Sequence, residues 1–168
     1  MRNYFKLITV AIISLFILSC SNDKGESSSK KVVNNDNLIE IGVLEDGLPV
    51  IKGDKDVLIK SWERNLLRLS KINAKFTDIY ITEIGKEEYQ LVFKGNEFKS
   101  SFFVQKSENN KLFASGDTSC TTSDCSQEPE GCVVSYKLSK PGAPGSCTPC
   151  GNGGTCTKTT SNFTMISF

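Results

Sequence analysis

The chain has 168 residues, 38% of them hydrophobic and 23% charged, with a formal net charge of +1. That is one ordinary domain's length, and it is too polar for a bundle of membrane helices. Seven cysteines and no histidine exclude a Ser/His/Asp or Cys/His nucleophilic centre and the common histidine-bearing zinc sites.

Arg2 and Lys6 precede a largely apolar run of 12 residues at positions 7–18, too short to cross about 30 Å of hydrocarbon as a helix. This is the pattern of a secretory signal, residues 1–19. It ends in Ile17, Leu18, Ser19 and Cys20, which resembles the lipobox of bacterial lipoproteins. The resemblance implies a diacylglyceryl group on the Cys20 thiol, cleavage just before it, and acylation (palmitate or a similar chain) of the new N-terminus. More than one acyl chain is what stable membrane anchoring requires. The start Cys20, Ser21, Asn22, Asp23 resembles lipoproteins of the Bacteroidota, which implies the outer membrane, facing the periplasm or the cell surface.

Loss of residues 1–19 removes Arg2 and Lys6 and no acid, leaving 18 basic against 19 acidic side chains. A near-neutral chain of this kind is not a nucleic-acid binder. Residues 21–37, with serines at 27–29 and a run of Asn and Asp, have little to bury and are expected to form a flexible tether. As a random coil it would hold the domain on the order of 20 Å from the lipid. Ser27 and Ser28 each stand three residues before a lysine, but an acyl-enzyme SxxK needs a helix in a pocket, which a tether does not provide.

The folded portion begins at Leu38, where Leu38, Ile39, Ile41, Val43 and Leu44 predict a strand that Asp46, Gly47 and Pro49 end. Asp54 can then cap a helix and Asp56 adds charge to its first turn. Leu58, Trp62, Leu66 and Leu69 follow helical spacing to about Ile72, within an arc of about 80°, so one face is core. From Ala74 the period changes to two, and segments 76–84, 89–94, 98–106 and 111–115 read as strands joined by hairpin-length links. A four-stranded antiparallel meander covered by the helix would bury Trp62, Leu66, Tyr80, Leu91, Phe93, Phe102 and Val104 together. The order strand, long helix, meander resembles the cystatin-like fold. That family inhibits proteases through a QxVxG hairpin, whereas the first hairpin here reads Ile84, Gly85, Lys86, Glu87, Glu88, so inhibition is not implied. The expected class is therefore α+β over residues 38–118.

Residues 119–168 differ in composition. From Cys120 onward the chain has six cysteines and eight large apolar side chains (Val133, Val134, Tyr136, Leu138, Phe163, Met165, Ile166 and Phe168), too few to order it by burial. Cys120, Cys125, Cys132, Cys147, Cys150 and Cys156 remain an even set once Cys20 carries lipid, and an exported location favours oxidation. Three disulfides are expected, with fifteen connectivities open. Cys147, Thr148, Pro149, Cys150 also makes a CxxC like that of thioredoxin-type oxidoreductases, where it starts a helix. Here it lies between Pro141, Gly142, Pro144, Gly145 and Gly151, Gly153, Gly154, which do not favour one. Zinc normally takes two closely spaced cysteine pairs, and only one is present.

Glu87 and Glu88 would point to opposite faces of a strand, Asp54 and Asp56 lack the rest of a calcium loop, and no phosphate loop occurs. On the helical wheel Lys60, Arg64, Arg68 and Lys71 fill a second arc of about 80° opposite the core arc. This basic stripe is a candidate anion-docking ridge for an envelope protein, an anionic glycan or lipid headgroups. The sequence thus predicts a non-catalytic, lipid-anchored binding module with no metal or cofactor. The alternative is an envelope thiol-disulfide oxidoreductase using Cys147 and Cys150.

Overall fold

The computed structural model describes residues 38–129, 131–136 and 144–161. The predicted signal peptide, Cys20 and the tether lie outside the described residues, as do Leu138 and residues 162–168.

The strand predicted at Leu38 is the first half of a hairpin. Strand β1 (Leu38–Glu45) turns at Asp46 and Gly47, both with positive φ (51° and 80°), and returns as β2 (Leu48–Ile51). Two residues with φ > 0 form the turn type whose twist matches a hairpin. Pro49 is tolerated because β2 pairs with β1 alone and is an edge strand.

Helix α1 (Lys55–Ser70) follows. The Asp54 carboxylate accepts from the backbone N–H of Asp56 and of Val57 at 2.9 and 3.1 Å, capping the first turn as the sequence suggests. The helix stops two residues before the predicted end, because Lys71 adopts the left-handed conformation (φ 59°) and its N–H closes back on the Leu66 carbonyl. Glu63 then holds the next segment, accepting from the Phe76 N–H and from the Lys75 ammonium at 2.9 and 3.0 Å.

The meander is β3 (Asp78–Gly85), β4 (Glu88–Lys94), β5 (Lys99–Lys106) and β6 (Lys111–Thr122). The sheet order is β2-β1-β6-β5-β4-β3, every neighbour antiparallel. The sheet curls until its edges approach, so that a Cβ at Gly42 of β1 would lie 3.3 Å from the Ile81 methyl of β3. The molecule is therefore mostly antiparallel β-sheet, nearly closed into a barrel, with one short helix; helix and meander are where the α+β expectation put them, but the sheet dominates.

The helix-facing core joins Leu58, Trp62 and Leu66 to Ile79, Leu91, Phe93, Phe102 and Val104. Tyr80 is not among them. Because β3 starts at Asp78, its alternation turns Ile79 and Ile81 inward and leaves Tyr80 half-buried on the other face.

Strand β6 also exceeds its predicted end. Residues 115–118 stand opposite Phe103 alone, a wide bulge, after which pairing with β5 resumes through Thr122. One edge of β6 carries β1 along Lys111–Ser115 and a late strand, β9 (Thr157–Thr160), along Thr118–Thr121. The cysteine-rich segment thereby returns to the main sheet; between its passes, β7 (Val134–Ser135) and β8 (Ser146–Cys147) pair with each other.

Candidate functional site

Residues Lys99 to Val104 of β5 are all buried, on both faces. The helix-side core covers Phe102 and Val104, and the cysteine-rich segment covers the opposite face, where Phe103 clusters with Cys120, Cys125, Cys132, Val134, Tyr136 and Cys150. Hydrogen bonds tie this cap to the strand: Ser101 Oγ donates to the Cys132 carbonyl at 2.9 Å, and the buried Lys99 ammonium donates to the Glu128 carbonyl. Burial lowers the Lys99 pKa, while Glu128 opposes that shift.

Three disulfides hold the cap. Cys120 bonds to Cys147, Cys125 to Cys150 and Cys132 to Cys156, with Cα–Cα distances of 5.6, 5.9 and 5.6 Å. The first three cysteines meet the last three in the same order, which clamps segment 120–132 alongside segment 147–156. Gly131 is required at its place, since a Cβ there would lie 2.7 Å from the Cys125 sulfur. Next to the bridges, the Asp124 carboxylate accepts from both the N–H and the hydroxyl of Thr155 at 2.8 Å. Those bonds hold its pKa below the usual carboxylate range.

Cys147 and Cys150, neighbours in the CxxC, bond to different cysteines and not to one another. The sulfurs of Cys125, Cys150 and Cys156 lie within 4.8 Å of one another, but each is already in a bridge, and metal ligation needs a free thiolate.

Tyr136 is a cap residue that sequence reasoning assigned only to burial. Its ring meets Phe103 edge-on at 5.3 Å, and its hydroxyl donates to the Asp117 carboxylate in the β6 bulge, with Ser115 Oγ 3.0 Å away. Burial first, then the bond to Asp117, push its pKa well above the ordinary phenol value of 10.0. A raised folded pKa means that this stabilisation is complete below about pH 10 and is lost as pH rises through the folded value. Unfolding free energy measured by urea titration should therefore fall above about pH 10, and Tyr136→Phe should flatten that fall. Equal slopes in the two proteins would remove Tyr136 from the account.

The basic stripe is on the surface: Lys60, Arg64, Arg68 and Lys71 are all exposed. Lys71, as the helix C-cap, takes its direction from its left-handed backbone, and its ammonium reaches the Arg68 carbonyl at 3.3 Å. Elsewhere on the described surface Lys52, Lys75, Lys106 and Lys111 each meet a carboxylate within 3.6 Å. Lys60, Arg64 and Lys71 meet none among the described residues. Val57 and Leu67, which the helical-wheel reading passed over, are 46% and 49% exposed. Both project from the same side of α1, since Val57 falls inside the cationic arc and Leu67 about 20° beyond its edge.

A shallow pocket of about 360 Å³ lies between the start of β1 and the β5–β6 hairpin, lined by Leu38, Gln105, Lys106, Ser107 and Phe113. Among the described lining residues its one titratable group is Lys106, which pairs with Glu87 at 3.6 Å. Gln90 of β4 is fully buried with neither amide atom hydrogen-bonded, which costs about 1–3 kcal/mol.

No protein-family model matches the chain, and searches of curated proteins and of solved structures find no similar protein.

Proposed function

We propose that the protein is a lipid-anchored lipoprotein of the bacterial envelope, most simply of the outer membrane, whose folded domain is a non-catalytic binding or interaction module. The anchor follows from the lipobox-like end of the signal segment at Cys20. The observation that carries the binding role is the exposed cationic face of α1, three of whose charges meet no carboxylate among the described residues although lysines elsewhere on the described surface do. Charges left unneutralised on a rigid element raise the local potential and attract anionic partners even when the net charge is near zero. The three bridges support the same reading, because they make a small core durable where thiols oxidise.

The test is Cys20→Ala. Intact-mass analysis of the wild-type mature protein should show acyl chains, and fractionation should place it with membranes. The variant should be released in soluble form with an unchanged circular dichroism spectrum. A wild-type mature mass without acyl chains would overturn the anchor.

A further inference from the structure

We propose that the exposed face of α1 is a membrane-docking surface that lies on the anionic phospholipid headgroups of the bilayer carrying the anchor, an assignment that rests on the lipoprotein reading. The helix's opposite face is spent in the core, with Leu58, Trp62 and Leu66 at most 2% exposed, so α1 is held rigidly with its outer face turned to solvent. That outer face is not merely charged. Among the described residues the exposed large hydrophobic side chains are Leu48, Val57, Leu67 and Ile84, and two of the four stand among the cations. Val57 to Leu67 spans about 15 Å of helix. A soluble polyanion would use the cations and leave the leucine and valine in water. A bilayer interface uses both, taking apolar side chains to the acyl boundary while lysine and arginine stems extend to the phosphates. Seventeen residues separate Cys20 from Leu38, and a segment of that length reaches at most about 60 Å even when fully extended. An anchored domain is therefore kept within reach of the surface, so that a weak contact becomes an intramolecular one.

The experiment uses the mature chain carrying Cys20→Ala, so that no acyl group contributes. It is mixed with vesicles of phosphatidylcholine alone or with phosphatidylglycerol, at low and high salt, with heparin as a soluble polyanion. The chain should bind the anionic vesicles, less so as salt rises. Neutralising Lys60, Arg64 and Lys71 to glutamine should weaken binding roughly a hundredfold, at about fivefold per cation. The double variant Val57→Ser with Leu67→Ser should weaken vesicle binding by about tenfold or more and leave heparin binding unchanged. Both variants should melt at the temperature of the parent, because no substituted side chain is in the core.

Absence of binding to anionic vesicles at low salt overturns the proposal. Vesicle binding indifferent to the serine variant also overturns it, and leaves a site for soluble polyanions. Acylation of Cys20 is read separately, from the mass of the native protein, so failure of the anchor and failure of the docking face give different results.

Discussion

Replacing Cys120 and Cys147 together by alanine is expected to lower the unfolding free energy by about 2.5 kcal/mol, the chain-entropy contribution of the roughly ten-residue loop that this bridge closes while Cys125–Cys150 stays in place. The two residues are 27 apart in sequence. Cys120 sits inside β6, paired with Ser101 on one side and Lys158 on the other, so the sheet fixes its position. Cys147 has no such support: it belongs to a strand of two residues that pairs only with Val134 and Ser135. Apart from the cysteines, the cap contributes Val134 and Tyr136 to the buried cluster, too little apolar surface to replace the bridge. Urea denaturation of wild type and double variant gives the difference. Hydrogen exchange should place the loss in the cap, for example at the Thr148 N–H bonded to the Val133 carbonyl at 2.9 Å. A change below about 1 kcal/mol would mean that the two remaining bridges, with the hydrogen bonds from Ser101 and Lys99, suffice to hold the cap.

Trp62→Ala should cost about 3–5 kcal/mol, the usual penalty for emptying a buried aromatic site. The indole is 2% exposed and lies 4.5 Å from Phe102 in a T-shaped contact and 6.2 Å from Phe93. It is also a hydrogen-bond donor. Its N–H gives to Ser100 Oγ at 3.0 Å, and that hydroxyl shares a 2.8 Å bond with Thr121 of β6. Trp62→Phe separates the two contributions: it keeps a ring but leaves the Ser100–Thr121 pair without the indole, at about 1–2 kcal/mol beyond the lost volume. Thermal and urea unfolding followed by circular dichroism measure both variants. If alanine costs no more than phenylalanine, ring packing is not what fixes α1 to the meander.

Helix and meander were legible because their apolar residues keep one period over long runs, 3.6 for Leu58, Trp62 and Leu66 and 2 for Leu91 and Phe93. The β1–β2 hairpin was hidden by Pro49, which reads as a strand terminator unless the strand is known to be an edge. Strand β9 (Thr157–Thr160) has no apolar residue at all, so hydrophobic periodicity cannot find it; backbone pairing with β6 defines it. The even set of six cysteines predicted three bridges, but their pairing depended on β6 continuing through Cys120, past a bulge that looked like a strand end. At the candidate docking face, spacing alone located the cations. That Lys60, Arg64 and Lys71 meet no carboxylate among the described residues, and that Val57 and Leu67 are exposed, depends on what the rest of the chain folds against them.

The order of the three bridges bears on how the protein is made. A chain that emerges N-terminus first presents Cys120, Cys125 and Cys132 before any of their partners, and fourteen further residues must follow Cys132 before Cys147 appears. Every pairing open in that interval is a wrong one. An oxidant that acts early therefore creates cross-links that have to be undone by thiol–disulfide exchange. Production of the disulfide-bonded domain thus depends on the supply of disulfide reshuffling, or on a delay of oxidation until β6 and β9 have met. A host that oxidises quickly and isomerises slowly would yield scrambled chains, however stable the finished fold.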